Sequence, residues 1–179
     1  MIKFSIEAQG PEDGPQIEAM LDASFGIGRR VKSSYRLREQ ELPVAGLSFV
    51  ARDEAGTLLG AISFWHLRVG AEGVPGLLLG PLAVHPDFQN RGIGLALMRH
   101  GIEAARGQGH KLILLVGDGP YYARAGFQPV PAGQLQMPGP FDPKRLLALE
   151  LVPHALEGVS GLILSPHRFN ALRAARLNP

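Results

Sequence analysis

Val84-His85-Pro86-Asp87-Phe88-Gln89-Asn90-Arg91-Gly92-Ile93-Gly94 joins an apolar run to a strongly periodic one through a short loop that ends on two glycines. The upstream run, Gly76-Leu77-Leu78-Leu79-Gly80-Pro81-Leu82-Ala83-Val84, is long enough for a buried strand. Proline cannot donate to a sheet ladder, so Pro81 predicts a bulge or an end to pairing with one neighbour, leaving free backbone groups beside it. Downstream, Arg99, Glu103 and Arg106 share a polar stripe, while Ile93, Ala96, Leu97, Met98, Ile102 and Ala105 cover a broad opposite face. That pattern predicts an amphipathic helix over Arg91–Arg106. At its start the first N–H groups lack intrahelical partners and the macrodipole is positive, so main-chain donors alone can hold a diphosphate.

The flanking sequence alternates strands and helices. A first strand is expected near Lys3–Glu7. Asp13-Gly14-Pro15-Gln16 reads as a capped helix start with Pro in the first turn and Gln16 placed to reach back, and Ile17, Met20, Leu21 and Ser24 continue at helical spacing. A second helix with a thin apolar stripe is expected over Arg30–Glu39. Leu47–Arg52 and Thr57–Val69 form an antiparallel hairpin around Asp53-Glu54-Ala55-Gly56. Lys111–Val116 reads as a buried strand, Gly119–Ala125 as a short helix, and Phe127–Val130 and Arg145–Val152 as strands separated by the Pro/Gly-rich Pro129–Pro143. A terminal helix is expected over Pro166–Leu177.

A chain of 179 residues suits one domain, and a composition 45% hydrophobic and 19% charged is that of a folded protein. The 18 basic and 16 acidic residues are scattered, with a net charge of +2, which gives no footprint for nucleic acid or an anionic membrane. Without cysteine, disulfides, thiolate catalysis and Cys-type zinc sites are excluded. The six histidines lack metal-ligand spacing, so no metal is expected. Met1–Glu7 alternates polar and apolar residues without the apolar run of a signal peptide, and a cytoplasmic protein is expected.

Two familiar phosphate loops fail here. No Gly-Lys-Ser/Thr follows the glycines, and Leu97 stands where a dinucleotide loop needs its third small residue. Incidental glycines at an ordinary helix start would explain Gly92-Ile93-Gly94 alone. However, Gln89-Asn90-Arg91-Gly92-Ile93-Gly94 after Leu82-Ala83-Val84-His85-Pro86 resembles the Gln/Arg-x-x-Gly-x-Gly/Ala loop of the GCN5-related N-acetyltransferases, the GNAT family. Pro120-Tyr121-Tyr122-Ala123-Arg124-Ala125-Gly126-Phe127 is similar to the aromatic element that follows that family's fifth strand. Phe141-Asp142-Pro143 before Leu146-Leu147-Ala148-Leu149 is similar to a bacterial subgroup of uncharacterised predicted acetyltransferases.

The resemblance implies an α/β (α+β) fold: a mixed, mostly antiparallel sheet with splayed parallel strands four and five and helices on both faces. The domain would run over residues 1–152, with 153–179 a C-terminal extension packed on it. It also implies transfer of an acetyl group from acetyl-CoA to a primary amine of a small molecule or protein. Backbone groups of Leu82, Ala83 and Val84 would hold the pantetheine arm and polarise the thioester. Donors from Gln89, Asn90, Arg91, Gly92, Ile93, Gly94 and Leu95 would hold the pyrophosphate, with the Gln89 and Arg91 side chains as further candidates. Tyr122 would protonate the departing thiolate, since a phenol near pKa 10 can donate to a thiolate whose conjugate acid lies near 8.5. Tyr121 reads as packing, and His85 as part of the turn.

The base that takes the amine's proton is unassigned. Asp118 and His66 are candidates, although Asp118 also reads as a helix cap and His66 as a strand-surface residue. A binding module for acyl-CoA without turnover, or an enzyme for a longer acyl-CoA, are the competing functions, and a homodimer is compatible with the sequence.

Overall fold

The structure, a computed structural model, describes residues 1–177. Alternation of apolar and polar residues shapes the first strands. β1 (Phe4–Ala8) pairs antiparallel with β2 (Ser48–Asp53), and β2 with β3 (Leu58–Val69). The β2–β3 turn closes as its composition dictates: the Asp53 carboxylate accepts from the N–H groups of Ala55 (3.0 Å) and Thr57 (2.8 Å), and Gly56 takes φ +83°. The remaining strands are β4 (Val74–Val84), β5 (Leu112–Val116), β6 (Gln128–Pro129), β7 (Leu135–Gln136), β8 (Leu146–Glu150) and β9 (Gly161–Leu164). They give the order β1-β2-β3-β4-β5-β8-β6, with β9 joined to β3 and β7. The helices are α1 (Gly14–Phe25), α2 (Ser33–Arg36), α3 (Ile93–Gly107), α4 (Gly119–Ala123) and α5 (Pro166–Leu177).

The parallel ladder between β4 and β5 consists of Leu77 opposite Ile113 and Leu78 opposite Leu114. It stops just before Gly80-Pro81, where the peptide is cis and Gly80 has φ +141°; an end to pairing there is what a residue with no N–H to donate predicts.

Two sets of segments each close on themselves, and β3 and β4 run through both. The first set is Met1–Arg30, Pro43–Phe64 and Leu79–Gly109. Within it, Ile17, Met20 and Leu21 of α1 pack with Val50, Leu58, Ala61 and Ala83. Phe49, on the opposite face of β2 from Val50, meets the His100 ring of α3 edge-on at 4.6 Å. Since successive strand residues point to opposite faces, α1 and α3 cover the two sides of the sheet. Glycines set how closely α3 approaches. A Cβ on Gly60 would come within 2.9 Å of the Ala83 carbonyl and of Leu97, and one on Gly101 within 2.4 Å of the fully buried Phe64 ring. Gly101→Val should therefore cost about 1–3 kcal/mol of stability, read as a lower urea midpoint; an unchanged midpoint would show that Phe64 can move aside.

The second set is Val31–Leu42, Trp65–Leu78 and the chain from His110 onward. Its core gathers Leu37, Leu67, Leu78, Leu112, Leu114, Leu146 and Ile163.

Three expectations are corrected. Gln16 does not close the start of α1; instead the buried Asp13 carboxylate accepts from the Gly10 N–H at 2.8 Å and pairs with Arg52. The helix expected over Arg30–Glu39 is a 3-10 turn at Ile27–Val31 followed by the four-residue α2. Lys32 is extended between them, and the Ser33 hydroxyl bonds the Pro140 carbonyl rather than supporting a longer helix. Finally, β7 lies in the Pro/Gly-rich Pro129–Pro143 and β9 in the C-terminal extension, where the sequence reading expected no strand.

Candidate active site

The glycine loop lies wholly in the first set of segments. β4 delivers Val84 to a tight turn: the His85 N–H donates to the Leu59 carbonyl at 2.8 Å, and the His85 imidazole accepts from the Asp87 N–H at 3.3 Å. A single 3-10 turn, Pro86–Phe88, follows. The chain then needs two left-handed residues, Asn90 at φ +60° and Gly92 at φ +83°, before entering α3. Asparagine and glycine are the residue types that adopt this conformation most readily.

Gly92 is the N-cap of α3, and it provides no side-chain acceptor for the N–H groups of the first turn. No acidic residue stands in that turn. A Cβ built on Gly92 meets nothing within 4 Å, so the space in front of the helix is open. Uncapped donors, an aligned dipole and open space together fit a diphosphate. Gly94, by contrast, is buried, so a larger residue there would disturb packing before it disturbed a ligand.

The side chains around this loop divide in role. The Gln89 amide donates to the Val84 carbonyl at 3.3 Å and so braces the loop, while the Ser24 hydroxyl reaches the same carbonyl at 3.4 Å. Arg91 is exposed, with its guanidinium 5.6 Å over the Phe88 ring. Ala83 is buried, and Leu82 and Val84 are partly so.

The tyrosine pair lies in the second set. Asp118 caps α4: its carboxylate accepts from the Tyr121 N–H at 3.2 Å. This is the blander of its two readings. Tyr122 is partly buried, edge-on to Tyr121 at 5.1 Å and to Phe127 at 5.9 Å. Gly117, which the sequence reading did not single out, is what admits the ring, since a Cβ there would come within 2.5 Å of Tyr122. Gly117 is tied to Arg145 in both directions, by N–H to carbonyl at 2.9 Å and by guanidinium to carbonyl at 3.3 Å. Burial pushes the Tyr122 phenol up to about 12; the neighbouring Tyr121 and Asp118 add to the rise and Arg145 opposes it. The phenol is thus a weaker acid than its free value near 10 suggests, and remains protonated through the neutral range.

His66 is exposed on β3, 5.8 Å from the His110 ring. Burial, and then His66, lower the His110 pKa. His110 precedes β5 and Tyr122 follows it, so the histidines and the phenol are separated by the length of a five-residue strand, roughly 16 Å. The structure does not bring these candidates together. Among the described residues, no group of three or more His, Asp or Glu side chains is arranged to hold a metal. No helix there is long and apolar enough to cross a membrane.

Residues 15–127 match the profile of the acetyltransferase (GNAT) family. The chain belongs to that family. It is 29% identical over 165 residues to the uncharacterised N-acetyltransferase YhbS of Escherichia coli K12, covering 92% of this chain and 98% of the relative. It is 33% identical over 140 residues to the uncharacterised N-acetyltransferase YjhQ of the same strain, covering 77% and 76%. The crystal structure of E. coli YhbS in complex with CoA superposes with a TM-score of 0.79 at 28% identity, covering 95% of this chain and 93% of that one. A GNAT acetyltransferase of Brucella melitensis in complex with acetyl-CoA gives 0.60 at 28% identity, covering 83% and 97%. The open, mostly antiparallel sheet with parallel β4 and β5 is the GNAT fold.

Proposed function

We propose that the protein transfers the acetyl group of acetyl-CoA to a primary amine of a small molecule or protein, by direct attack through a tetrahedral intermediate. The observation that carries this reading is the uncapped start of α3 behind Gly92, reached from a strand whose parallel pairing ends at Leu78. Relatives with CoA or acetyl-CoA bound support the choice of co-substrate.

In this reading the N–H groups at the start of α3 hold the pyrophosphate, with Gln89 bracing the loop. Backbone groups of Leu82–Val84 take the pantetheine arm as an added strand, and one N–H polarises the thioester carbonyl. The amine attacks, the C–S bond breaks, and the Tyr122 phenol donates to the departing thiolate. The attacking amine must itself be neutral. At neutral pH that costs a lysine side chain about 5 kcal/mol and an α-amino group about 1 kcal/mol. A weakly basic acceptor therefore needs only water as base, in keeping with the capping role of Asp118 and the position of His66.

The test is release of free coenzyme thiol from acetyl-CoA in the presence of a panel of amines graded by pKa. Amine-dependent release, fastest among the less basic amines, is expected. Tight acetyl-CoA binding with no release across the panel would leave the protein a binding module, and release only from longer acyl-CoA donors would reassign the donor.

A further inference from the structure

A groove of about 340 Å³ opens in the second set of segments between the β3–β4 turn, β9 and α5. Its β9 and α5 walls lie beyond residues 15–127, which match the family profile, while its β3–β4 turn lies within them, and the acetyl-transfer reading does not use it. Phe169, Leu172, Arg173 and Arg176 line it at helical spacing, so a single stripe of α5 faces the groove. The floor is Leu162 and Leu164 of β9, and the rim is Gly70, Ala71 and Glu72 of the turn.

The groove's shape is built by close approach of backbone rather than left by loose packing. A Cβ on Gly73, at φ +67°, would come within 2.4 Å of the Phe169 ring, and one on Gly70, at φ +73°, within 2.4 Å of the Ser160 carbonyl. The turn is thereby clamped against α5 on one side and the approach to β9 on the other.

The lining is polarised. Leu162, Leu164, Phe169 and Leu172 supply apolar surface, and Leu172 is 48% exposed. Arg173 and Arg176 supply cationic heads, and neither makes an ion pair among the described residues. α5 itself contains no acidic residue. Two arginines against the one carboxylate of Glu72 leave the lining with one positive charge in excess. An occupant that satisfies both halves is apolar along its body and carries one negative charge at its end. The volume is at the small end for ligand sites and suits about ten non-hydrogen atoms.

We propose that this groove binds a small amphipathic carboxylate, its apolar body along Leu164, Phe169 and Leu172 and its carboxylate on the guanidinium groups of Arg173 and Arg176. Planar guanidinium donors match a carboxylate in both charge and geometry.

Octanoate is a suitable probe, titrated by calorimetry into the intact protein. A dissociation constant of about 1 mM or tighter is expected for a ligand of this size. The double variant Arg173→Gln/Arg176→Gln should weaken binding at least tenfold, whereas Glu72→Gln, which removes the like charge, should tighten it about two- to threefold. Octylamine, with the same body and the opposite charge, should bind at least tenfold more weakly than octanoate. The Glu72 variant and octylamine decide the matter even if the double variant misfolds. Absence of octanoate binding, equal binding by a folded double variant, or octylamine binding as tight as octanoate would each overturn the proposal. So would capture of the protein by phosphatidylglycerol vesicles in a manner that needs both arginines while octanoate is ignored, since α5 would then be a basic face for a membrane surface.

Discussion

Tyr122→Phe should lower turnover by about ten- to a thousandfold while leaving acetyl-CoA affinity nearly unchanged. The variant keeps the ring that packs on Tyr121 and Phe127 and removes only the proton. With the phenol raised to about 12 by burial, full transfer to a thiolate whose conjugate acid lies near 8.5 is uphill by about 5 kcal/mol in the coenzyme-free protein. In the proposed reaction the phenol would therefore act first as a hydrogen-bond donor to the charge that develops on sulfur, and the proton would move as the C–S bond parts. Steady-state kinetics with a reactive amine, paired with coenzyme titration, separates this from packing. Loss of affinity in the variant would assign Tyr122 to packing, and full turnover under chemistry-limited conditions would remove it from the mechanism.

The same variant has a second readout. In the unfolded chain a tyrosine loses its proton near pH 10, whereas folded Tyr122 keeps it to about 12. Between these values the folded state binds more protons, so this contribution to stability is complete below pH 10 and is lost as pH rises toward 12. Tyr122→Phe should flatten the alkaline decline in melting temperature above pH 10; an unchanged decline would mean the phenol is not held up by its surroundings.

Gly92→Val is expected to weaken acetyl-CoA binding at least tenfold while the fold persists. Two effects act together. The left-handed conformation at φ +83° costs an L-residue roughly 1–2 kcal/mol, and a β-branched side chain fares worse, so the loop shifts. The added side chain also projects into the open space before α3, where main-chain donors would meet the pyrophosphate in the proposed reading. Tenfold in affinity corresponds to about 1.4 kcal/mol, which either effect can supply. Gly94 is less informative because it is buried, and a change there confounds folding with binding. Calorimetric affinity equal to that of the unaltered protein would rule out this loop as the pyrophosphate cradle.

What could be read from sequence follows how local each determinant is. The Asp53-Glu54-Ala55-Gly56 hairpin, the cap at Asp118 and the helix over Pro166–Leu177 are set by side chains acting within four residues or by a proline at the first turn, and all stand as read. The end of β4–β5 pairing was legible because proline has no N–H to donate. The misreadings are tertiary. β9 is four residues long and β7 two; they are strands because Leu135 pairs with Gly161 and Ile163 with Val69, partners far apart in the chain. The helix expected over Arg30–Glu39 is reduced to Ser33–Arg36, whose first residue bonds Pro140, more than a hundred residues away. In the candidate site, the glycines announced the uncapped, open start of α3. That Gln89 braces Val84, that Gly94 is buried and that Gly117 seats the Tyr122 ring depend on neighbours no local pattern encodes.

The interleaving of segments also bears on the order in which the protein can take shape during synthesis. Every residue of the first set, including the whole loop from Val84 to Leu95, has left the ribosome's catalytic centre once residue 109 is joined. The second set must wait for β9, because β3 and β7 both take part of their pairing from Gly161–Leu164. At ordinary elongation rates, the stretch from residue 109 to residue 164 takes roughly 3–11 s. During that interval the half of β3 beyond Phe64 has an unfilled edge on a nascent chain. The glycine-loop half of the protein thus has a head start in synthesis over the tyrosine-bearing half.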